Sequence, residues 1–497
     1  MKIWKSISFI FFLMQTYFKL VKSLKTRNRF CYAVGGLGYS SMSQTLNNFI
    51  MFFATAVMGI SGSLVGIAIA ISSLWDGVSD PLVGYLSDNT KNKFFGKRLG
   101  YMFFGIFAIA LINILIWSMP MGLSQIGKFS WLLVGMLAIE TANTCFGTPY
   151  SALAIDIAPD YNEQNKIQGF KTVFSIIGMI LPSILMYFFM PSISISIQTS
   201  HTQAGYIKIA VINSCMLIVF GLITILSCLR LTQKNHVYSL STKKEKFSLS
   251  DLLCGYFNVL KKPDFRSVIL GYSCACIASC FLTSVGMHLF TYCYHFSSSQ
   301  ISVVLVSLFG GAIASQPLWV YLSNRIEKKQ ALIISLSTIV FGIFLTIITF
   351  LFRQYIPNNI MFIIAIFCLV FCGIGAGAMY SLPFSMYADV VTLEMAKTGQ
   401  NNAGAYTGYF TFTYNLANSI ALLLIGFLLD AIKFDSTQPV QALSVQKGLG
   451  GIVFFGCSIF LALAILILSK FSVRRAEVLK VQMINERDKK RETAHTT

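Results

Sequence analysis

Twelve apolar runs divide this chain, and each is long enough to cross the roughly 30 Å of hydrocarbon in a bilayer. They cover about 32–57, 61–87, 99–119, 130–157, 168–190, 206–230, 266–294, 300–323, 330–352, 358–388, 404–430 and 448–470. In lipid the backbone N–H and C=O groups have no water to bond, so segments of this length must satisfy them internally, as helices. The fold class this predicts is an all-α membrane protein with twelve transmembrane helices. Charged residues are only 11 % of the chain and hydrophobic residues 55 %, against roughly 25 % charged in soluble domains. No soluble core could bury so much apolar surface. The same figures exclude a disordered chain and a disulfide-stapled secreted module. The 12 cysteines lie mostly inside the apolar runs and read as small buried hydrophobes.

A net charge of +19 would suggest nucleic acid in a soluble protein. Position argues otherwise. Of the 38 Lys and Arg, 33 fall in the amino-terminal segment, in the loops after runs 2, 4, 8 and 10, in the central loop and in the tail. Only Lys128, Lys208, Arg353, Lys433 and Lys447 fall on the other side. The positive-inside rule places both termini in the cytoplasm, so the charge is topological and no nucleic-acid partner is expected. Frequent Phe, Ile, Lys and Asn fit an AT-rich bacterial genome, hence a cell (inner) membrane. Residues 7–18 are apolar but too short to span. Cleavage as a signal peptide would leave the first run entering from the wrong side, so an interfacial helix or an over-long gene start is the expectation.

The chain repeats itself. Pro81-Leu-Val-Gly-Tyr-Leu-Ser-Asp88 matches Pro317-Leu-Trp-Val-Tyr-Leu-Ser-Asn324, and Pro149-Tyr-Ser151 with Asp156 matches Pro383-Phe-Ser385 with Asp389. Run 2 therefore pairs with run 8 and run 4 with run 10. The domains predicted are a cytoplasmic segment 1–30, a six-helix bundle 31–230, a basic cytoplasmic loop 231–265, a second bundle 266–472 and a basic tail 473–497. Within the loop, Ser250 caps a short surface helix. Two pseudo-symmetric bundles with solute held between them near the midplane resemble the major facilitator fold. Gly84-x-x-x-Asp88 followed by Gly96-Lys97-Arg98 resembles that superfamily's loop signature, and Asp88, Lys97 and Arg98 are the expected conformational latch.

Carboxylates inside the runs narrow the function. Asp76 and Asp80 stand one turn apart on one face of run 2, with no Lys or Arg in that run. Each ionised acid costs about 3 kcal/mol at the bilayer centre. Protonation or an external cation resolves this, and the oxygens of Ser72, Ser73 and Ser79 favour a small hard cation. The repeat positions in run 8 are Ala312 and Gln316, so the pair is not a scaffold requirement. In run 4, Glu140, Asn143, Thr144, Gly147 and Ser151 form a polar stripe at helical spacing, facing the bundle interior.

Trp75-Asp-Gly-Val-Ser-Asp-Pro81 resembles the W-D-x-x-x-D-P element of the glycoside–pentoside–hexuronide:cation symporters, typified by melibiose permease. Tyr32-Ala-Val-Gly-Gly36, Thr148-Pro-Tyr-Ser-Ala-Leu153 and Ser385-Met-Tyr-Ala-Asp-Val-Val391 are similar to further stretches of that family, over about 30–475. The resemblance implies a cation site, Na⁺ or H⁺, at Asp76, Ser79, Asp80 and Thr144. Its sugar site departs. The family's sugar-binding acids fall at Ser40 and Gly147, its helix-5 Arg near Lys171 and its helix-11 Lys at about Asn415. Glu140, two turns from Gly147, is placed to take over for a different ligand, so a galactoside is doubtful. Substrate binding is thus expected at Ser40, Glu140, Gly147, Lys171 and Asn415. The Cys31–Gly36 opening also resembles the eukaryotic lysophosphatidylcholine symporters.

The function expected is a cation-coupled symporter of a small, sugar-like or related solute, working by alternating access as a monomer in the bilayer. The alternatives are a lysophospholipid carrier and a non-transporting sensor on a transporter fold. No cofactor is expected beyond the coupling ion. No G-x-S-x-G, Walker A or HExxH occurs, so no enzyme is expected. The asymmetry of basic residues predicts that reporters fused after Arg98, Lys244 or Lys480 are cytoplasmic. Periplasmic reporter activity at the central loop would refute the topology.

Overall fold

The structure is a computed structural model, and it describes residues 24–90, 98–157, 161–190, 200–234, 256–398, 403–438 and 440–474. The amino-terminal segment through residue 23, most of the central loop including Ser250, and the tail from 475 lie outside these residues. Twelve membrane-length helical units run through the described chain. The first half holds α1 (Leu24–Phe52), α2 (Gly62–Asn89), α3 (Leu99–Trp117), α4 (Gln125–Ile157), α5 (Tyr161–Phe189) and α6 (Ser200–Lys234). The second holds α7 (Pro263–Cys280), α8 (Ser298–Ala314), α9 (Lys328–Leu351), α10 (Asn358–Met379), α11 (Ala403–Ala431) and α12 (Leu443–Leu468). Eleven of these units are long and apolar enough to span a bilayer. α1 is as long but carries a polar face, on which Asn213 of α6 accepts from Ser41 (2.8 Å) and donates to Thr45 (2.7 Å).

Four features depart from plain helices. α1 runs into a π turn at Phe53–Val57 and α7 into one at Phe281–Val285, followed by Gly286–Tyr292. The two π turns stand at matching places in the two halves. α8 breaks at Ser315 and resumes at Gln316–Arg325, and α10 breaks at Tyr380 and resumes at Leu382–Thr398. Both resumptions place Pro, 317 or 383, in the first turn, where its missing N–H costs no intrahelical bond. The repeat counterpart Pro149 instead sits inside a continuous α4.

Within the first half α1 packs on α5 and α6, and α4 on α2 and α3; within the second, α10 packs on α8 and α9, and α12 on α7. The halves meet along α2–α11, α5–α8, and α1 against the π turn of α7. Hydrogen bonds between the halves lie at the face opposite the basic loops: Thr55 Oγ1 with His288 Nε2 at 2.9 Å, and Asp430 with the start of α2. Among the described residues α4 and α10 make no extended contact with the opposite half. The halves are therefore closed at the face opposite the basic loops.

Phe104, Ile126, Val134, Leu351, Phe367 and Phe455 are among the exposed apolar side chains. They suit a hydrocarbon solvent. The eleven described cysteines are free. At the basic face Lys328 pairs with Asp389, Lys262 with Glu394, and Asp264 accepts from Ser472, which ties the second half together. Part of the expected surface helix is present as a helical turn at 256–261.

Close helix approach is set by small residues, as at Gly373 of α10. A Cβ there would lie 2.1 Å from the Leu308 carbonyl of α8, which cannot swing away as a side chain could. Gly373→Ala is expected to part these helices at a cost of about 1–3 kcal/mol, the usual range for overpacking. A fall in the unfolding midpoint of the detergent-purified protein checks this, and an unchanged midpoint would contradict the packing.

Candidate functional site

Asp76 and Asp80 project from α2 toward α4, which runs parallel to it. Thr144 Oγ1 lies 3.3 Å from Asp76 Oδ1, and Thr148 Oγ1 donates to Asp80 Oδ1 at 3.0 Å. The two pairs repeat one turn apart on both helices, and Thr144, between the acids, also bonds Asp80. Trp75 Nε1 donates to Thr141 Oγ1 at 2.8 Å and fixes the same pair of helices beside the acids. Ser79 is buried, with its hydroxyl 3.0 Å from Thr144 Oγ1. The structure thus brings together all four residues expected at the cation site, and adds Thr148.

The cluster has more acceptors than donors. The Thr144 hydroxyl lies near Asp76, Ser79 and the Glu140 carbonyl (3.0 Å), yet it has one proton to give. Glu140 accepts from Asn143 Nδ2 at 3.3 Å, and Asn143 Oδ1 is buried with no hydrogen-bond partner. A hydrogen bond to a charged group contributes about 1.5–3 kcal/mol. One threonine therefore roughly offsets the insertion cost of one carboxylate. It does not offset the repulsion between the two, about 3 kcal/mol for charges about 6 Å apart at an effective dielectric of 20. Lys128 stands at the far end of α4, bonded to the Met58 carbonyl (2.7 Å), and supplies no countercharge here.

The residues expected at the solute site fall in two places. Gly147 faces Tyr39 of α1: a Cβ on Gly147 would lie 2.8 Å from the Tyr39 hydroxyl, which fills the space. Glu140 lies on the same stripe of α4. Lys171 of α5 donates to Ser151 Oγ at 3.1 Å and sits 4.7 Å from the centre of the Tyr150 ring. Tyr150 and Tyr32 stack at 4.7 Å, and each hydroxyl donates to the other's backbone carbonyl, which clasps α1 to α4. Ser40 points at α5, where its Cβ would lie 3.1 Å from a Cβ on Gly178. The side chain that α1 offers to the acidic stripe is thus Tyr39, one position earlier. Asn415 lies on α11, and Ser419 donates to its carbonyl at 2.8 Å. Three residues before it, Phe412 lies on Gly77, where a Cβ would come within 2.5 Å of the ring. The expected latch at Asp88, Lys97 and Arg98 is not assembled in view: the Asp88 side chain and Lys97 lie outside the described residues, and Arg98 precedes α3.

Sequence reasoning missed Thr148 and Tyr39. Thr148 was signalled by its spacing, four residues after Thr144 as Asp80 is four after Asp76. Tyr39 carried no such signal, because its partner is the absence of a side chain at Gly147.

Two helical bundles closed at one face around membrane carboxylates define a secondary transporter of the major facilitator fold. The chain belongs to the MFS/sugar transport protein family, whose model matches residues 31–475. It is 23 % identical to an uncharacterised symporter of Synechocystis, over 86 % of this chain and 89 % of that one. It is 21 % identical to the sodium-dependent lysophosphatidylcholine symporter 1 of Xenopus tropicalis, over 93 % and 91 %. A bacterial homologue of the lysosomal transporter Spinster, solved inward-facing, shares the fold with a TM-score of 0.60 at 13 % identity, over 93 % of this chain and 98 % of that one. The protein is a cation-coupled symporter of this family.

Thr148→Val keeps shape but removes the hydroxyl that serves Asp80. If the threonine ladder holds the acids in their binding geometry, the substitution weakens cation affinity about tenfold or more. Titration of ²²Na⁺ on purified protein measures this, and equal affinity would detach Thr148 from the site.

Proposed function

We propose that Asp76 and Asp80 bind the coupling ion, that the ion is Na⁺, and that it is carried together with a small polar solute into the cell. The observation that supports this most is the acceptor excess between α2 and α4, where paired carboxylates, two threonines and Ser79 converge. A proton would neutralise one acid. A sodium ion uses several oxygens at once, which is what the cluster offers. In this reading the basic face is cytoplasmic and the membrane is the bacterial inner membrane. The chain works as a monomer and performs transport rather than catalysis.

The solute binds between the halves, beside Glu140, Tyr39 and Gly147 on one side and Lys171 and Asn415 around it. Glu140 offers an acceptor to hydroxyl or ammonium groups. Bound Na⁺ removes the charge repulsion across α2, so the loaded carrier can close around the pair. The empty carrier returns with its acids neutralised some other way, or not at all. One charge moving inward gains roughly 2.3 kcal/mol per 100 mV, enough for about 50-fold accumulation. A second reading, a lysophospholipid as solute, is favoured by the coverage of the lysophosphatidylcholine symporter and by Lys171, which suits a phosphate.

Asp76→Asn and Asp80→Asn are each expected to abolish accumulation against a gradient while the protein still inserts and folds. The measurement is uptake of a sugar panel and of lysophosphatidylcholine into vesicles, with and without Na⁺, at pH 6 and 8. If both variants accumulate solute and respond to Na⁺ as wild type does, α2 is not the coupling site. Accumulation by the wild type that follows a proton gradient in the absence of Na⁺, and is lost in both variants, would make the ion H⁺.

A further inference from the structure

The closed face is held by a carboxylate that its own helix does not explain. Asp430 lies in the last turn of α11, where the helix dipole is negative and an acid is disfavoured. Its two oxygens instead accept from the first backbone N–H groups of α2, in the other half: Gly62 N to Oδ1 at 2.7 Å and Ser63 N to Oδ2 at 2.8 Å. These are orphan donors of a helix start. α2 has no cap of its own, because Ser61 makes no side-chain capping bond. Asp430 is therefore the cap of α2, supplied across the interface between the halves, at the positive end of that helix.

The surroundings are built for this contact. A Cβ on Gly62 would lie 2.5 Å from the Gly426 carbonyl, and one on Gly426 would lie 2.1 Å from the Gly62 carbonyl. A Cβ on Gly66 would meet the Leu423 backbone at 2.9 Å. The two helices touch main chain to main chain for a full turn beside the cap. At the same face α1 meets the π turn of α7, and Thr55 bonds His288, a fully buried side chain flanked by Phe52 and Phe434.

We propose that Asp430 is a positioning residue of the transport cycle: it caps α2 only while this face is closed, and so sets the balance between the two orientations of the carrier. This rests on the alternating-access reading above. Opening the face must draw α2 from α11, and then Gly62, Ser63 and Asp430 lose one another and go to water. The same α2 carries Asp76 and Asp80 farther along, with Phe412 of the same α11 lying on Gly77 between them. Cap and cation site thus lie on one helix pair. The cation is sensed at the middle of α2, and the closed state is held at its start.

The test is the distance between spin labels introduced as unnatural amino acids at Met121 and Tyr355, both exposed on this face in opposite halves, read by double electron–electron resonance in nanodiscs. Asp430→Asn leaves one acceptor and no charge. It is expected to move the population toward the longer distance by about five- to tenfold, the equilibrium equivalent of a charged cap, with ²²Na⁺ binding retained. Ser63→Pro deletes one of the two donors without touching the acid, at a first-turn position that tolerates proline. It should shift the same way, and it keeps the test open should Asp430→Asn fail to fold. Populations unchanged in both variants, in a protein that shows two distances, overturn the role of Asp430 and leave alternating access standing. A wild type with one distance under all combinations of Na⁺ and solute overturns alternating access itself, and the proposal with it.

Discussion

Two acids one turn apart in a helix with no basic residue are the constraint on which the rest of this molecule depends. Asp76 and Asp80 cannot both be ionised in hydrocarbon without help, and the fold supplies only part of it. The threonine ladder of α4 serves the two carboxylates with two hydroxyls. That roughly balances the cost of placing a single charge at such depth. It leaves their mutual repulsion uncompensated. A site deficient by about one positive charge is a poor structural element and a good cation trap. The deficiency is local, because the surrounding helices are tied by bonds that do not involve the acids, such as the Tyr32–Tyr150 clasp and the Asn213 bridge to α1.

The helix carrying this deficiency is also one that joins the halves. α2 packs on α4 in its own bundle and on α11 in the other. Its start is capped by Asp430, and its middle is covered by Phe412. A change in charge at Asp76 therefore acts on a rigid body whose other contacts hold one face shut. No chain of intermediates is needed for the ion to affect the gate, since a helix 28 residues long transmits displacement along its axis. Packing that forbids a Cβ at Gly62, Gly66 and Gly77 leaves little slack between α2 and α11.

Much of this was legible in the sequence, for identifiable reasons. Span number and the paired bundles follow from solvent: hydrocarbon forces long apolar helices, and the repeated Pro-Leu and Pro-aromatic-Ser elements mark equivalent ones. The clustering of Asp76, Ser79, Asp80 and Thr144 was legible because charge in a membrane is expensive enough to need polar partners. What escaped notice depends on partners far away in the chain. Asp430 looks like an ordinary acid at a helix end until α2 is seen against it, 368 residues away in sequence. Tyr39 answers to an empty space at Gly147. The His288 ring packs between Phe52 and Phe434, and its nitrogen also spans the halves to Thr55. The π turns left no signature, since Phe53–Val57 and Phe281–Val285 are apolar runs like their neighbours.

The repeat explains why the chemistry is confined to one half. Asp80 corresponds to Gln316, and the second half spends that position on its own backbone. α10 breaks at Tyr380, and the Ser381 N–H bonds the Ala378 carbonyl instead of reaching one residue farther back. The Gly377 carbonyl is thereby released, and Gln316 Nε2 donates to it at 2.8 Å. Trp319 Nε1 and Ser315 Oγ satisfy the Ile374 carbonyl in the same way, at 2.7 and 3.1 Å. α8 thus presents donors to α10, where α2 presents acceptors to α4. The counterpart of Asp76 is Ala312, which lines a largely apolar cavity with Ala376, Cys372 and Ile339. Continuity of α4 through Pro149 keeps the first half free of that repair, so its equivalent positions can carry charge. The same pair of helices, intact in one bundle and broken in the other, gathers carboxylates and hydroxyls in the first and forms a backbone splint in the second.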